Sequence, residues 1–174
     1  KINIEIKSSM STTIVSAFQK LKENLEITGL QKTTVSKRQN SVKDVVAGEM
    51  NVLESFLTGS YARSTMISPL WKADVDIFIV LDPKYFKLYC PASLLDKVKN
   101  VLLKTYTESK ISRNGQAATI TFTDFVVDVV PAFNRKGEGY LIPNSTQDTW
   151  IETNPKTHVD IMTEKNSIHK GNLV

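Results

Sequence analysis

Soft and imidazole ligands are scarce in this chain, whose 174 residues hold one cysteine, Cys90, and two histidines. A single cysteine closes no internal disulfide, which points to a reducing compartment and sets the expectation of a cytoplasmic protein. Zinc sites draw on clusters of Cys and His, so a zinc centre is excluded as well. Cys90 reads as a half-buried thiol beside Pro91 rather than as a nucleophile. His158 reads as a surface or loosely packed side chain, because the other members of a histidine-based triad are missing. No apolar run reaches the length of a membrane span, and no signal-peptide pattern opens the sequence, so no membrane is expected among the partners. Internal repeats and low-complexity segments are also missing.

What remains is an ordinary globular composition, 41% apolar and 23% charged, at a length that fits one domain. Lys plus Arg is 22 against 18 for Asp plus Glu, a net of +4. This mildly basic balance, with a pI near 9.1, fits a phosphate-bearing partner. The basic residues are scattered, with one weak cluster from Lys32 to Arg38, so specific duplex nucleic-acid binding is not indicated. The chain opens at Lys1 and stops in mid-pattern at Val174; the expectation is a fragment of a longer protein.

The stretch Trp71-Lys72-Ala73-Asp74-Val75-Asp76-Ile77-Phe78-Ile79-Val80-Leu81 organises the rest. Val75 and Ile77 to Leu81 form the near-continuous apolar run of a strand covered on both faces. Strand side chains alternate, so Asp74 and Asp76 share one face, about 7 Å apart along the backbone. Two carboxylates at the edge of a core repel each other and lose hydration unless a positive group sits between them. A divalent cation fits that position.

Upstream, Ile2, Ile4 and Ile6 alternate as a short strand or extended arm. Ile14, Val15, Phe18, Leu21 and Leu25 then keep helical spacing, with Ser9 or Ser11 as cap and Gly29 as stop. A second helix is expected from about Thr34 to Met50, with Val35, Val42, Val45 and Val46 on one face. Both helices read as scaffold packed against the sheet. Val52 to Thr58 reads as a strand that runs into Gly59-Ser60-Tyr61-Ala62-Arg63-Ser64-Thr65, a tight turn opening a short helix. Glycine lets a phosphate approach the backbone there, a helix N-terminus offers free N–H groups, and Ser60 adds a hydroxyl.

Asp82-Pro83 ends the central strand. Residues 92–106 form an amphipathic helix with Leu94, Leu95, Val98, Val101, Leu102 and Tyr106 inward. Ile111 to Arg113, Asn114-Gly115 and Ala117 to Phe122 read as a hairpin, and Asp124 falls in the next turn. A second apolar strand follows, Phe125 to Phe133, interrupted by Asp128. A lone Asp in such a run is either a charge paired inside the protein or a metal ligand, and taken alone the two readings stand level. Asp74 and Asp76 on a neighbouring strand favour the ligand. Residues 134–148 read as an exposed loop anchored by Tyr140 and Ile142, and Trp150-Ile151 as a short strand or loop. Asn154-Pro155 reads as a helix start that runs to about Asn166.

Gly-Ser, then Asp-Val-Asp inside an apolar strand, then one Asp inside a later apolar strand resembles the nucleotidyltransferase superfamily of DNA polymerase beta. Gly59 to Thr65, Asp74 to Leu81 and Asp128-Val129-Val130-Pro131-Ala132-Phe133 are most similar to the bacterial cGAS/DncV-like nucleotidyltransferases, the CD-NTases. Tyr140-Ile142-Pro143, Trp150, Thr153-Asn154-Pro155 and Asn166 fit that family's later segment, so the resemblance spans about residues 52–166. It implies an α+β fold, a mixed twisted sheet with helices packed on one side. Residues 1–154 would be the nucleotidyltransferase core and 155–174 the start of a truncated helical second domain.

The resemblance further implies that nucleoside triphosphates are joined into cyclic or linear oligonucleotide second messengers, with pyrophosphate released, in anti-phage defence. Asp74, Asp76 and Asp128 would be the catalytic residues and the ligands of two Mg²⁺ ions, with Mn²⁺ as a substitute. Gly59 and Ser60 would hold the β- and γ-phosphates, and Arg63 would assist. The family also implies a protein activator or sensor as partner. Three other readings remain: a polymerase beta-like transferase acting on a tRNA, an antibiotic or a protein; a catalytically dead nucleotide-binding module; and a plain α/β domain whose aspartates are structural.

Overall fold

The protein is described by a computed structural model covering residues 13–169. The arm expected at Ile2, Ile4 and Ile6 and the caps expected at Ser9 and Ser11 lie outside the described residues. The elements run α1 (Ile14–Leu25), α2 (Gly29–Ala47), β1 (Val52–Leu57), α3 (Gly59–Ala62), a 3-10 turn (Leu70–Lys72), β2 (Asp74–Leu81) and α4 (Lys84–Leu88). They continue with α5 (Pro91–Thr105), β3 (Lys110–Asn114), β4 (Ala117–Thr121), β5 (Val126–Asn134), β6 (Tyr140–Asn144), β7 (Thr149–Thr153) and α6 (Pro155–Ile168).

The main sheet has the strand order β1-β2-β5-β4-β3. Among the described residues only β2 and β5 pair in parallel, which makes the sheet mixed. A parallel pair needs a long crossover, and α4, α5 and the β3–β4 hairpin occupy it. Beyond the reach of β4, the C-terminal end of β5 pairs with β6, Phe133 opposite Leu141, and β6 pairs with β7.

Alternation along β2 and β5 divides the apolar residues between two cores. Val75, Ile77, Ile79, Leu81, Val127 and Val129 face Val35, Val42 and Val46 of α2 and Leu94, Val98 and Leu102 of α5. On the opposite face Phe78, Val80, Val130 and Ala132 pack with Tyr140 and Ile142. The scaffold helices α2 and α5 therefore cover one side of the sheet, as expected for this α+β class. The other side is left for the aspartates.

Several local expectations change. Gly29 is the first residue of α2 and does not end α1, because Thr28 and Gln31 form a reciprocal capping box one step ahead of it. That cap also moves the start of α2 upstream of Thr34. Helix α1 is not packed on the sheet: it buries no residue, and Val15 is 79% and Phe18 67% exposed. The sheet face it was expected to cover is taken by α2 and α5. Residues 140–144 are a strand and not part of an exposed loop, because Tyr140 and Ile142 alternate into the second core, each 6% exposed. Cys90 is exposed and not half-buried. At the other end, Asn154 caps α6 as expected, accepting from the Thr157 N–H at 3.3 Å, with Pro155 at the first helical position. Among the described residues no helix is long and apolar enough to cross a membrane.

Candidate active site

Strand pairing brings two of the three predicted carboxylates side by side. Asp76 of β2 stands opposite Asp128 of β5 in the parallel register. Residues paired across strands point to the same face, so both side chains lie on the side away from α2 and α5. Asp74, two residues before Asp76, shares that face at the exposed start of β2. On the outer flank Thr119 of β4 stands opposite Asp128, and its hydroxyl donates to Oδ1 of Asp128 at 2.6 Å. On the inner flank the Thr58 N–H donates to the Asp76 carbonyl at 2.9 Å. That bond ties the end of β1 to the carboxylate strand just where the Gly59-Ser60 turn begins.

Gly59 adopts φ +62°, the left-handed region where a side chain is strained. Space forbids one as well: a Cβ there would run into Oδ2 of Asp76 and lie 2.9 Å from its Cγ. The turn therefore lies directly against the Asp76 carboxylate, which explains why glycine precedes Ser60. The Ser60 carbonyl accepts the Thr65 and Met66 N–H groups at 2.9 and 3.1 Å, closing the loop after the turn. Helix α3 is a single turn of four residues, too short to build a large macrodipole. Phosphate binding here would rest on the close backbone and the Ser60 hydroxyl. Arg63 closes α3 as its C-cap residue.

Burial pushes the Asp76 carboxyl up to about 6, with the neighbouring Asp128 and Asp74 charges adding to the rise and Arg63 pulling against it. None of the three aspartates has an ion-pair partner among the described residues. Nor, among those residues, do three acidic, His or Cys side chains already close into a metal-binding group. Asp76 and Asp128 repel each other where their strands pair, and a cation between them would relieve that repulsion. Carboxylates without an ion-pair partner on one face, an Asp76 strained by burial and then by its neighbours, and an all-oxygen donor set fit a hard divalent ion such as Mg²⁺.

Two residues of the site escaped the sequence reading. Lys72 lines a recess of about 350 Å³ together with Ser60, Thr65 and Asp74, its ammonium lying 4.9 Å from the centre of the Trp71 ring. Nothing in its local sequence sets it apart from other lysines. Thr119 could have been found, since a hairpin closed at residues 123–124 pairs 119 with 128. A larger groove of about 500 Å³, lined by Phe18, Leu21, Leu25, Met66 and Ile67, contains none of the aspartates. Cys90 and His158 are both exposed and take no part in the site.

Residues 10–166 match the family profile of the Second Messenger Oligonucleotide or Dinucleotide Synthetase domain. Over 126 residues the chain is 30% identical to a cyclic AMP-AMP-AMP synthase of Acinetobacter sp., covering 68% of this chain and 36% of that protein. Its fold is similar to that of a CdnE cyclic dinucleotide synthase from Elizabethkingia meningoseptica, whose structure holds GTP and Apcpp. That likeness has TM-score 0.70 at 20% identity, over 88% of this chain and 60% of the other. A STING-associated CdnE c-di-GMP synthase from Capnocytophaga granulosa superposes with TM-score 0.73 at 19% identity, over 96% of this chain and 56% of the other. The chain thus spans little more than a third of that curated relative.

Proposed function

The chain belongs to the second messenger oligonucleotide or dinucleotide synthetases, the bacterial cGAS/DncV-like nucleotidyltransferases, and from this premise we propose that it is the transferase core of an enzyme joining nucleoside triphosphates into cyclic oligonucleotides. The observation that carries the reading is the pairing of Asp76 with Asp128 across the parallel strands, directly against Gly59. Asp74, Asp76 and Asp128 would hold two Mg²⁺ ions, for which Mn²⁺ can substitute. Held by these carboxylates, the ions would supply Lewis acidity, lowering the pKa of an acceptor ribose hydroxyl, and positive charge to offset that of the departing pyrophosphate.

The chain's own residues bind and orient the substrate. Glycine at position 59 lets the β- and γ-phosphates approach the backbone, the Ser60 hydroxyl donates to them, and Arg63 and Lys72 supply positive charge. The acceptor hydroxyl attacks the α-phosphate in line, and pyrophosphate leaves. On this reading residues 1–154 form the core and 155–174 begin a helical second domain. The protein works in the cytoplasm in anti-phage signalling, under the control of a protein activator.

The test uses the full-length protein with all four nucleoside triphosphates and Mg²⁺, its products identified by mass spectrometry. Asp76→Asn and Asp128→Asn should each lower product formation by about three orders of magnitude or more, the scale of a lost transition-state charge contact. Undiminished product from either variant would overturn the assignment. Product formed only after a tRNA, antibiotic or protein is added would instead indicate a transferase with a separate acceptor.

A further inference from the structure

The three aspartates are fixed to different degrees. Asp76 is wedged against Gly59, whereas Asp74 lies at the exposed start of its strand. Asp128 has no such wedge, and its carboxylate receives one side-chain hydrogen bond among the described residues, from Thr119. We propose that Thr119 is a positioning residue, whose hydroxyl sets the orientation of the Asp128 carboxylate toward the divalent ion of the transferase site. The inference rests on the transferase reading above and adds to it a residue that touches neither ion nor nucleotide.

The geometry supports this at three levels. In the backbone, β4 and β5 form a tight hairpin in which Thr121 pairs with Val126, Ile120 with Val127 and Thr119 with Asp128. A one-residue slip of register would turn Ile120 and Val127, both fully buried, out of the core. In the side chains, threonine is β-branched and stiff at χ1, so its hydroxyl is a fixed donor and not a mobile one. Aspartate has two rotatable bonds and no such stiffness of its own.

The chemistry supplies the third level. The Thr119–Asp128 distance of 2.6 Å lies in the range of a hydroxyl bound to an ionised carboxylate. Threonine has one hydroxyl proton, and it goes to Oδ1, so among the described residues Oδ2 is the oxygen left without a side-chain donor. Ligand carboxylates are commonly held in this way by outer partners, whose removal weakens metal binding about 10- to 100-fold.

A Thr–Asp pair that served only the hairpin would change the melting temperature and leave the response to metal alone. The experiment therefore compares wild type, Thr119→Val, Thr119→Ser and Asp128→Asn in the full-length protein. Valine keeps the branched shape and removes the hydroxyl; serine keeps the hydroxyl and removes the methyl group. Mn²⁺ binding in the presence of α,β-methylene-ATP is followed by electron paramagnetic resonance. The half-saturating Mg²⁺ concentration for turnover and the melting temperature are measured alongside.

The expected result is Mn²⁺ affinity at least about tenfold weaker in Thr119→Val, with a matching rise in required Mg²⁺, near-native values in Thr119→Ser, and an unchanged melting temperature. Wild-type Mn²⁺ affinity in Thr119→Val, with Asp128→Asn impaired, would overturn the role of Thr119 and leave the transferase site standing. Equal weakening in the valine and serine variants would overturn it too, because packing and not the hydroxyl would then be responsible. Unaltered Mn²⁺ binding in Asp128→Asn would remove the carboxylate site itself, and the role of Thr119 with it.

Discussion

Asp76 bears the electrostatic cost of the site. Its carboxyl rises from 3.8 to about 6, first through burial and then through Asp128 and Asp74. A folded-state value above the unfolded one means that the folded chain holds this proton more tightly. The stability from this group is therefore fully present below about pH 4 and is lost as pH rises through about 6. Asp76→Asn removes the charge and keeps the shape. It should melt at a higher temperature than wild type at pH 7.5 in metal-free buffer, with the advantage vanishing towards pH 4; calorimetry at the two pH values reads both. A variant that melts lower at pH 7.5 would show that the charge is not strained. Higher stability combined with lost product is the signature of a residue retained for chemistry.

Among the elements, the two helices behind the sheet and the strand ends in front of it do separate work. Leu102 on α5 is fully buried in the core shared with α2, on the side away from the aspartates. Leu102→Ala should destabilise the protein by about 2–5 kcal/mol, read by urea denaturation. Its kcat at a temperature well below the melting point should stay within about twofold of wild type, and a large fall in kcat at intact fold would contradict the two-sided plan. Elements with a clear period were legible in the sequence: β2 and β5 as apolar runs, α5 as an amphipathic helix, α6 from its Asn154-Pro155 start. Segments whose signals compete were not. Gly29 fits a helix stop as well as a helix start until Thr28 and Gln31 are seen to cap. The polar residues and Pro143 of 134–148 hide the alternation of Tyr140 and Ile142, which the second core alone makes decisive.

At the scale of the molecule, the proposed substrate site and the fold share one charge problem. A ligand that binds only the native state stabilises it by RT ln(1 + [L]/Kd), about 2.7 kcal/mol at a hundredfold excess over Kd. For a protein of this size that is a rise of about 5–11 °C in melting temperature. Mg²⁺ together with a non-hydrolysable triphosphate should give such a rise in wild type. The Asp76→Asn/Asp128→Asn double variant should show little of it, and a full rise there in thermal melts would place the binding site elsewhere.

The sequence by itself determined which side chains are candidates for the chemistry: three aspartates in apolar strands, and a glycine and a serine at the end of another strand. Those features are legible because burial and alternation are local, period-two properties of the chain. Only the tertiary structure decided which of them meet. Parallel pairing across a long crossover sets Asp76 beside Asp128, and the fold back from β1 lays Gly59 against Asp76. The recess likewise recruits Lys72, and the hairpin register recruits Thr119. The meetings of Asp76 with Asp128 and of Gly59 with Asp76 join residues distant in sequence, and strand pairing with core packing, which no local pattern encodes, selects them.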